Sequence, residues 1–295
     1  MSRKIFLHFL ALLTSLIWGS TFAVSKVLLN NGLSPAGIMT LRFLLAYFLM
    51  LPFAHKHLIS KTWKDELRFI ICGLTGGSLY FLAENTAVEI TSASSTVALL
   101  VCLTPVFTAV ANSIVYKEKT LSKRFLSGSF VALAGTALVV FNGVFVLDDN
   151  PLVIVLSIGA GLCWTVYSLE LRVLEKNYSS DTITRKVFFW GVMTMAVYFL
   201  FFPKSTPPET LLKPEVAFCL IFLAIIASLG CFLVWNMVIK RIGVVTASNY
   251  LFFNPVSALI TAHAVLDEKI TVYAVIGCVL TITGVYLCNR HSTKV

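Results

Sequence analysis

Apolar runs of about twenty residues, cut by short polar breaks, recur from one end of the chain to the other. They are too long and too apolar for a soluble domain, and their length is that of helices crossing a bilayer core of roughly 30 Å. The pattern predicts ten helices, at approximately 6–29, 34–54, 67–89, 92–116, 123–144, 151–173, 186–202, 215–239, 243–266 and 271–289. Several connections hold only a few residues, so helices adjacent in sequence are expected to run antiparallel.

One stretch is written twice. Pro105 is followed thirteen residues later by Glu118-Lys119, then by Gly128 and Gly135 on an apolar run. Pro255 is followed thirteen residues later by Glu268-Lys269, then by Gly277 and Gly284, with one residue fewer in between. A module repeated inside a membrane chain marks a transporter built from two halves. The expected units are residues 1–147 and 148–295, with five helices each. An odd number of helices per unit inverts the second relative to the first.

Charge placement gives a direction. With the N-terminus inside, eighteen of the 23 lysines and arginines fall at cytoplasmic helix ends, among them Lys56, Lys117, Lys119, Arg172, Lys240, Arg290 and Lys294. Only Lys204, Lys213 and Lys269 fall outside, while Lys26 and Arg42 lie within helices. The expectation is an all-α polytopic protein of the plasma membrane with both termini cytoplasmic.

Composition supports this and removes other classes. Of 295 residues, 58% are hydrophobic and 13% charged, against about 25% charged in soluble domains. The net charge of +9 is spread over helix ends, which argues against a nucleic-acid partner. The basic start at Arg3-Lys4 leads into an apolar run reaching Leu29, read as a first membrane helix and not a cleaved leader. The seven cysteines fall in apolar runs without metal or disulfide spacing. Neither a phosphate-binding GxxxxGK[ST] loop nor an HExxH pair is present, so no enzyme, metal or cofactor is expected. The partners expected are a small-molecule substrate and the lipid bilayer.

Particular residues carry a resemblance. Trp18-Gly19-Ser20-Thr21-Phe22 with Lys26, Pro35 with Arg42-Phe43, Glu84-Asn85-Thr86-Ala87 with Thr91-Ser92-Ala93-Ser94, and the duplicated proline–acid–glycine pattern occur in order along nearly the whole chain. The set resembles the drug/metabolite transporter superfamily, in its ten-helix branch of EamA-type exporters. The resemblance implies secondary transport of small organic molecules, often outward, without cofactor or nucleotide hydrolysis. One departure is that no arginine is expected inside the seventh helix to answer Arg42, because Arg185-Lys186 precede the run at 186–202.

Polar groups inside a membrane usually face a cavity or one another. Lys26, Arg42 and Glu84 lie at similar depth in the first three helices. An unpaired charge there would be costly, so Glu84 is expected to pair with Arg42 or Lys26. Substrate contacts are expected from Trp18, Thr21, Tyr80, Asn85, Trp164, Tyr167, Asn236, Tyr250 and Asn254. Thr14, Trp18, Thr21 and Ser25 share one face of the first helix. Asn85 and Asn236 stand at matching places in the two halves, as interhelical glue or as cavity lining. Pro105 and Pro255 each free a carbonyl one turn back and serve either as hinges or as static bends. The small faces at Gly128, Ala132, Gly135 and at Gly277, Thr281, Gly284 read as packing surfaces, within one chain or in a homodimer. The leading expectation is an alternating-access exporter of a small polar metabolite such as an amino acid. A lipophilic-cation exporter and a carrier of an anion such as a sugar phosphate are the alternatives.

Overall fold

The computed structural model describes residues 3–54, 59–91, 94–142, 150–203, 207–266 and 270–289. Glu268-Lys269, Ser92-Ala93, Lys56, Lys204, Arg290 and Lys294 lie outside the described residues.

The first half begins with α1 (Arg3–Asn30). Its end is a Schellman turn: Gly32 sits at φ +89°, Leu33 N–H donates to Leu28 O, and Gly32 N–H donates to Leu29 O. Ser34 then caps α2 (Pro35–Met50) by accepting from Gly37 N–H, with proline at its first position. α3 (Trp63–Gly73) and α4 (Leu79–Ile90) form one column, joined through a π-helical segment at Leu74–Ser78. α5 (Ser94–Val101) and α6 (Thr104–Tyr116) form another, broken by a turn at 102–103. α7 (Lys123–Phe141) closes the half.

The second half has a parallel order. α8 (Pro151–Leu174) and α9 (Ser180–Phe201) are followed by the short α10 (Pro208–Leu212). α11 (Pro214–Ile221) and α12 (Cys231–Ile242) flank a second π-helical segment, Phe222–Gly230. α13 (Val244–Ser248), a 3-10 segment (Asn249–Phe253) and α14 (Asn254–Leu266) make a broken column, and α15 (Val272–Asn289) ends the chain.

Among the described residues, eight continuous helical spans are long and apolar enough to cross a membrane, α3 with α4, α5 with α6 and α11 with α12 each making one. α2 is apolar but has 16 residues, and the stretch 244–266 is divided by its 3-10 segment. Large apolar side chains including Phe9, Ile114, Phe130, Leu200, Phe218 and Ile276 lie on the outer surface. Such a surface suits hydrocarbon and not water.

One expectation is corrected, and one open choice is decided. Arg185 and Lys186 do not precede the seventh column; both lie inside α9 and are 3% exposed. Lys186 forms an ion pair with Glu66 of α3, and Trp190 donates to the same carboxylate at 2.6 Å. Hydropathy alone placed the helix start at residue 186, six residues late, because a charge satisfied by a neighbouring helix still scores as polar. The small faces of α7 and α15 pack against each other within one chain, the first of the two alternatives their spacing offered. A Cβ added at Gly135 would stand 2.5 Å from Thr281 N and 2.6 Å from Gly277 O. At their far ends, Asn142 Oδ1 accepts from Thr271 N–H and Oγ1, both at 2.9 Å.

Each proline follows a break and begins a helix. The carbonyl freed by Pro105, at Val101, accepts from Thr104 Oγ1 at 2.5 Å. The one freed by Pro255, at Leu251, accepts from Cys102 Sγ at 3.2 Å. The break in the first half therefore supplies a partner to the break in the second.

Candidate functional site

The two π-helical segments decide how the halves meet. A π turn shifts the backbone register and leaves carbonyls for outside donors. In the second segment, Ala227 O accepts from Trp18 Nε1 at 2.9 Å and Ser228 Oγ accepts from Arg42 Nε at 2.8 Å. In the first, Gly76 gives room to the Tyr167 ring, and Ser78 Oγ donates to Gly191 O at 3.0 Å. Each segment thus receives side chains from the other half.

Between them lies a narrow chamber of about 20 Å³ lined by Trp18, Thr21 and Phe22 of α1, Tyr80, Phe81 and Glu84 of α4, Val101, Thr104, Trp164, Leu251 and Asn254. A water needs roughly 10–15 Å³ by this measure, so the chamber has room for about one. Trp18 and Trp164, which occupy matching helices of the two halves, meet edge to face at 5.0 Å, and Tyr80 meets Trp164 at 5.1 Å. Trp164 Nε1 and Asn254 Oδ1 have no hydrogen-bond partner.

Five of the nine expected contact residues therefore share this chamber: Trp18, Thr21, Tyr80, Trp164 and Asn254. Phe22, Phe81, Val101, Thr104 and Leu251 join them; Thr104 precedes Pro105 as Asn254 precedes Pro255, which is the signal that could have found it. Four expected residues are elsewhere. Tyr167 donates to Asn236 Oδ1 at 2.8 Å, and Asn236 Nδ2 donates to Thr184 Oγ1 at 2.7 Å, which is structural bonding between α8, α12 and α9. Tyr250 contacts His8 Nδ1 at 2.9 Å. Asn85 is 1% exposed, lies off the chamber wall, and both of its amide atoms lack a partner.

The matching amides thus differ in bonding, and substitutions should separate them. Tyr167→Phe is expected to lower stability in detergent by about 1 kcal/mol, the size of an interhelical hydrogen bond in a membrane. Asn85→Leu is expected not to lower it, because the amide it removes has no protein partner. Thermal unfolding of the purified variants measures both.

The charged trio is not ion-paired. Among the described residues Glu84 has no cation within 4.0 Å, and it accepts from Tyr80 Oη at 2.8 Å. Arg42 bonds Ser228 and lies 4.3 Å from the centre of the Phe81 ring. Lys26 Nζ donates to Val88 O and Thr91 O at 2.8 and 3.2 Å, carbonyls at the C-terminal end of α4, where a helix attracts cations. Each charge makes its direct contacts with a dipole or a ring and not with an opposite charge. Only Glu84 reaches the chamber.

A polar seam leaves the chamber along α6. Thr104, Thr108 and Asn112 are spaced by four residues and fully buried. They pack on α8, where Thr108 and Thr165 hydroxyls meet at 3.3 Å and Arg172 donates to Asn112 Oδ1 at 2.7 Å. At the far end, Arg172 also pairs with Glu118, and together with Asn112 it holds that carboxyl below its ordinary range. There the seam opens into a wide pocket of about 910 Å³ between α6, α7, α8, α12, α13 and α15.

The chain matches the family described as "EamA-like transporter family" twice, over residues 5–141 and 151–290. An "Uncharacterized transporter" of Archaeoglobus fulgidus is 27% identical over 95% of this chain and 96% of its own. A "Probable terminal-alkyne amino-acid exporter" of Streptantibioticus cattleyicolor is 25% identical, covering 95% of this chain and 92% of its own. A "Probable amino-acid metabolite efflux pump" of Escherichia coli is 23% identical, covering 94% and 93%. A solved crystal structure superposes with a TM-score of 0.73 over 96% of both chains at 18% identity, a likeness of fold.

Proposed function

The chain belongs to the EamA-like transporter family and is an integral membrane protein, and from that premise we propose that it exports a small amine-bearing metabolite, amino-acid-like in class, by alternating access. One observation carries the reading. The chamber takes a tryptophan from the first helix of each half, and its single charged group is the carboxylate of Glu84. An ammonium group fits that carboxylate and the aromatic faces beside it, while Asn254 Oδ1 and Trp164 Nε1 offer an acceptor and a donor for the remaining polar atoms. The two named amino-acid exporters among the relatives point the same way.

In this reading residues 1–147 and 148–295 are five-helix units inverted about the chamber. The basic ends, including the wide pocket, face the cytoplasm, both termini lie there, and the membrane is the plasma membrane. Pro105 and Pro255 begin the segments that move.

A second reading, export of a lipophilic cation, is favoured by the absence of an ion pair at Glu84. A carboxylate with no ion-pair partner among the described residues, set among aromatic rings, is available to such a cation. An anionic cargo is disfavoured, because Lys26 and Arg42 are both committed away from the chamber wall.

Proteoliposomes loaded with labelled amino acids, nucleosides or lipophilic cations, with and without a pH gradient, test the choice. Amino-acid flux above that of empty vesicles is expected. Flux of cations alone would replace the first reading with the second.

A further inference from the structure

The wide pocket holds a group that transport through the chamber does not use. Glu175 caps α8 and lines the pocket, yet it is only 6% exposed and its Oε1 has no hydrogen-bond partner. Asn249, on the 3-10 segment, lines the same pocket with Oδ1 also unpartnered. Two buried polar atoms of one pocket are thus left for a ligand to satisfy. The other charged side chains of the pocket are Glu118 and Lys119 after α6, Arg172 on α8, Lys176 beside Glu175, and Lys240 on α12. Arg172 is occupied by Glu118, and Lys240 Nζ points to Tyr178 O at 3.4 Å without forming an ion pair with Glu175. A carboxylate without a salt bridge therefore shares a pocket with three lysines that have no carboxylate partner among the described residues.

We propose that the wide pocket is a second substrate site, a loading station for a zwitterion, with Glu175 taking its ammonium group and Lys119, Lys176 and Lys240 drawing its carboxylate. The proposal rests on the reading of the chain as a carrier of amino-acid-like molecules. The volumes favour a station here: about 910 Å³ accommodates an amino acid, and the chamber's 20 Å³ does not. Burial also pushes the Glu175 carboxyl up to about 8, with Lys240 opposing. At neutral pH an arriving ammonium therefore displaces a proton: the O–H bond of Glu175 breaks, the proton leaves to solvent, and the carboxylate keeps the ligand's cation.

Two measurements on the full chain in detergent at pH 7 test this. A hydrophobic carbodiimide should modify residue 175, read by mass spectrometry. Leucine should protect it roughly fivefold or more at saturation, leucine amide less, and N-acetyl-leucine not at all. In weak buffer, leucine should release about one proton per chain in the native protein, but not in Glu175→Gln. Failure of the carbodiimide to react at 175, equal protection by N-acetyl-leucine, or proton release surviving in Glu175→Gln would each overturn the proposal. Absence of amino-acid flux in proteoliposomes would instead strike the chamber reading, and protection by leucine amide alone would then mark an amine site without a zwitterion, which also overturns the loading station.

Discussion

Glu84→Gln is expected to lower flux of the transported substrate by about 100-fold while leaving the amount of folded protein unchanged. The amide retains the size of the carboxylate and can still accept from Tyr80 Oη. It removes the one charge that reaches the chamber. A hydrogen bond to a charged group contributes roughly 1.5–3 kcal/mol, and about 2.8 kcal/mol corresponds to 100-fold. The contrast is Lys26→Met, which strips a donor from the carbonyls ending α4 without touching the chamber. Its cost should fall on stability, with flux per folded chain nearly kept. Initial rates in proteoliposomes, normalised to protein recovered from the same vesicles, check both. Full flux in Glu84→Gln would remove the carboxylate from any account of binding.

Gly135→Val is expected to be the most damaging single substitution for folding, at about 3 kcal/mol or more. Its side chain would meet backbone atoms of α15, Thr281 N and Gly277 O, and no side chain there can turn aside. α7 and α15 would have to separate, and the loss would spread to Gly128 and Gly284, which make the same close approach. Gly159→Ala on α8 is the control. Nothing lies within 4 Å of the added carbon, and alanine favours a helix over glycine by up to about 1 kcal/mol. Size-exclusion profiles and unfolding midpoints should therefore move in opposite directions for the two variants. A well-behaved Gly135→Val protein would mean that the small faces do not pack as described.

Much of the fold was legible because lipid imposes a long, uniform hydrophobic signal. The all-helical fold, its apolar spans and the close approach of glycines 128, 135, 277 and 284 followed from that signal and from spacing. What failed involved partners distant in sequence. Arg185 and Lys186 read as a loop because nothing local reveals Glu66 waiting on α3. Asn85 and Asn236 read as equivalent because they sit in matching frames, yet only Asn236 has Tyr167 and Thr184 within reach. Depth along three helices predicted an ion pair for Glu84, but depth carries no information on rotation about a helix axis, and rotation sent Arg42 to Ser228. The π-helical segments left no trace in residue type that hydropathy detects. They nevertheless supply the carbonyl that holds Trp18 in place.

The crowding of indoles around that chamber makes the protein its own optical gauge. Trp18 lies 5.0 Å from both Trp164 and Trp235, so rings from α1, α8 and α12 quench or shift one another's emission only while the helices stay together. The remaining two, Trp63 and Trp190, are far simpler to account for, one being exposed and the other bonded to Glu66. A space with room for one water cannot admit an amino acid until the walls that Trp18 and Trp164 help to form draw apart, so each opening of the chamber must pass through a change in ultraviolet fluorescence that needs no attached dye.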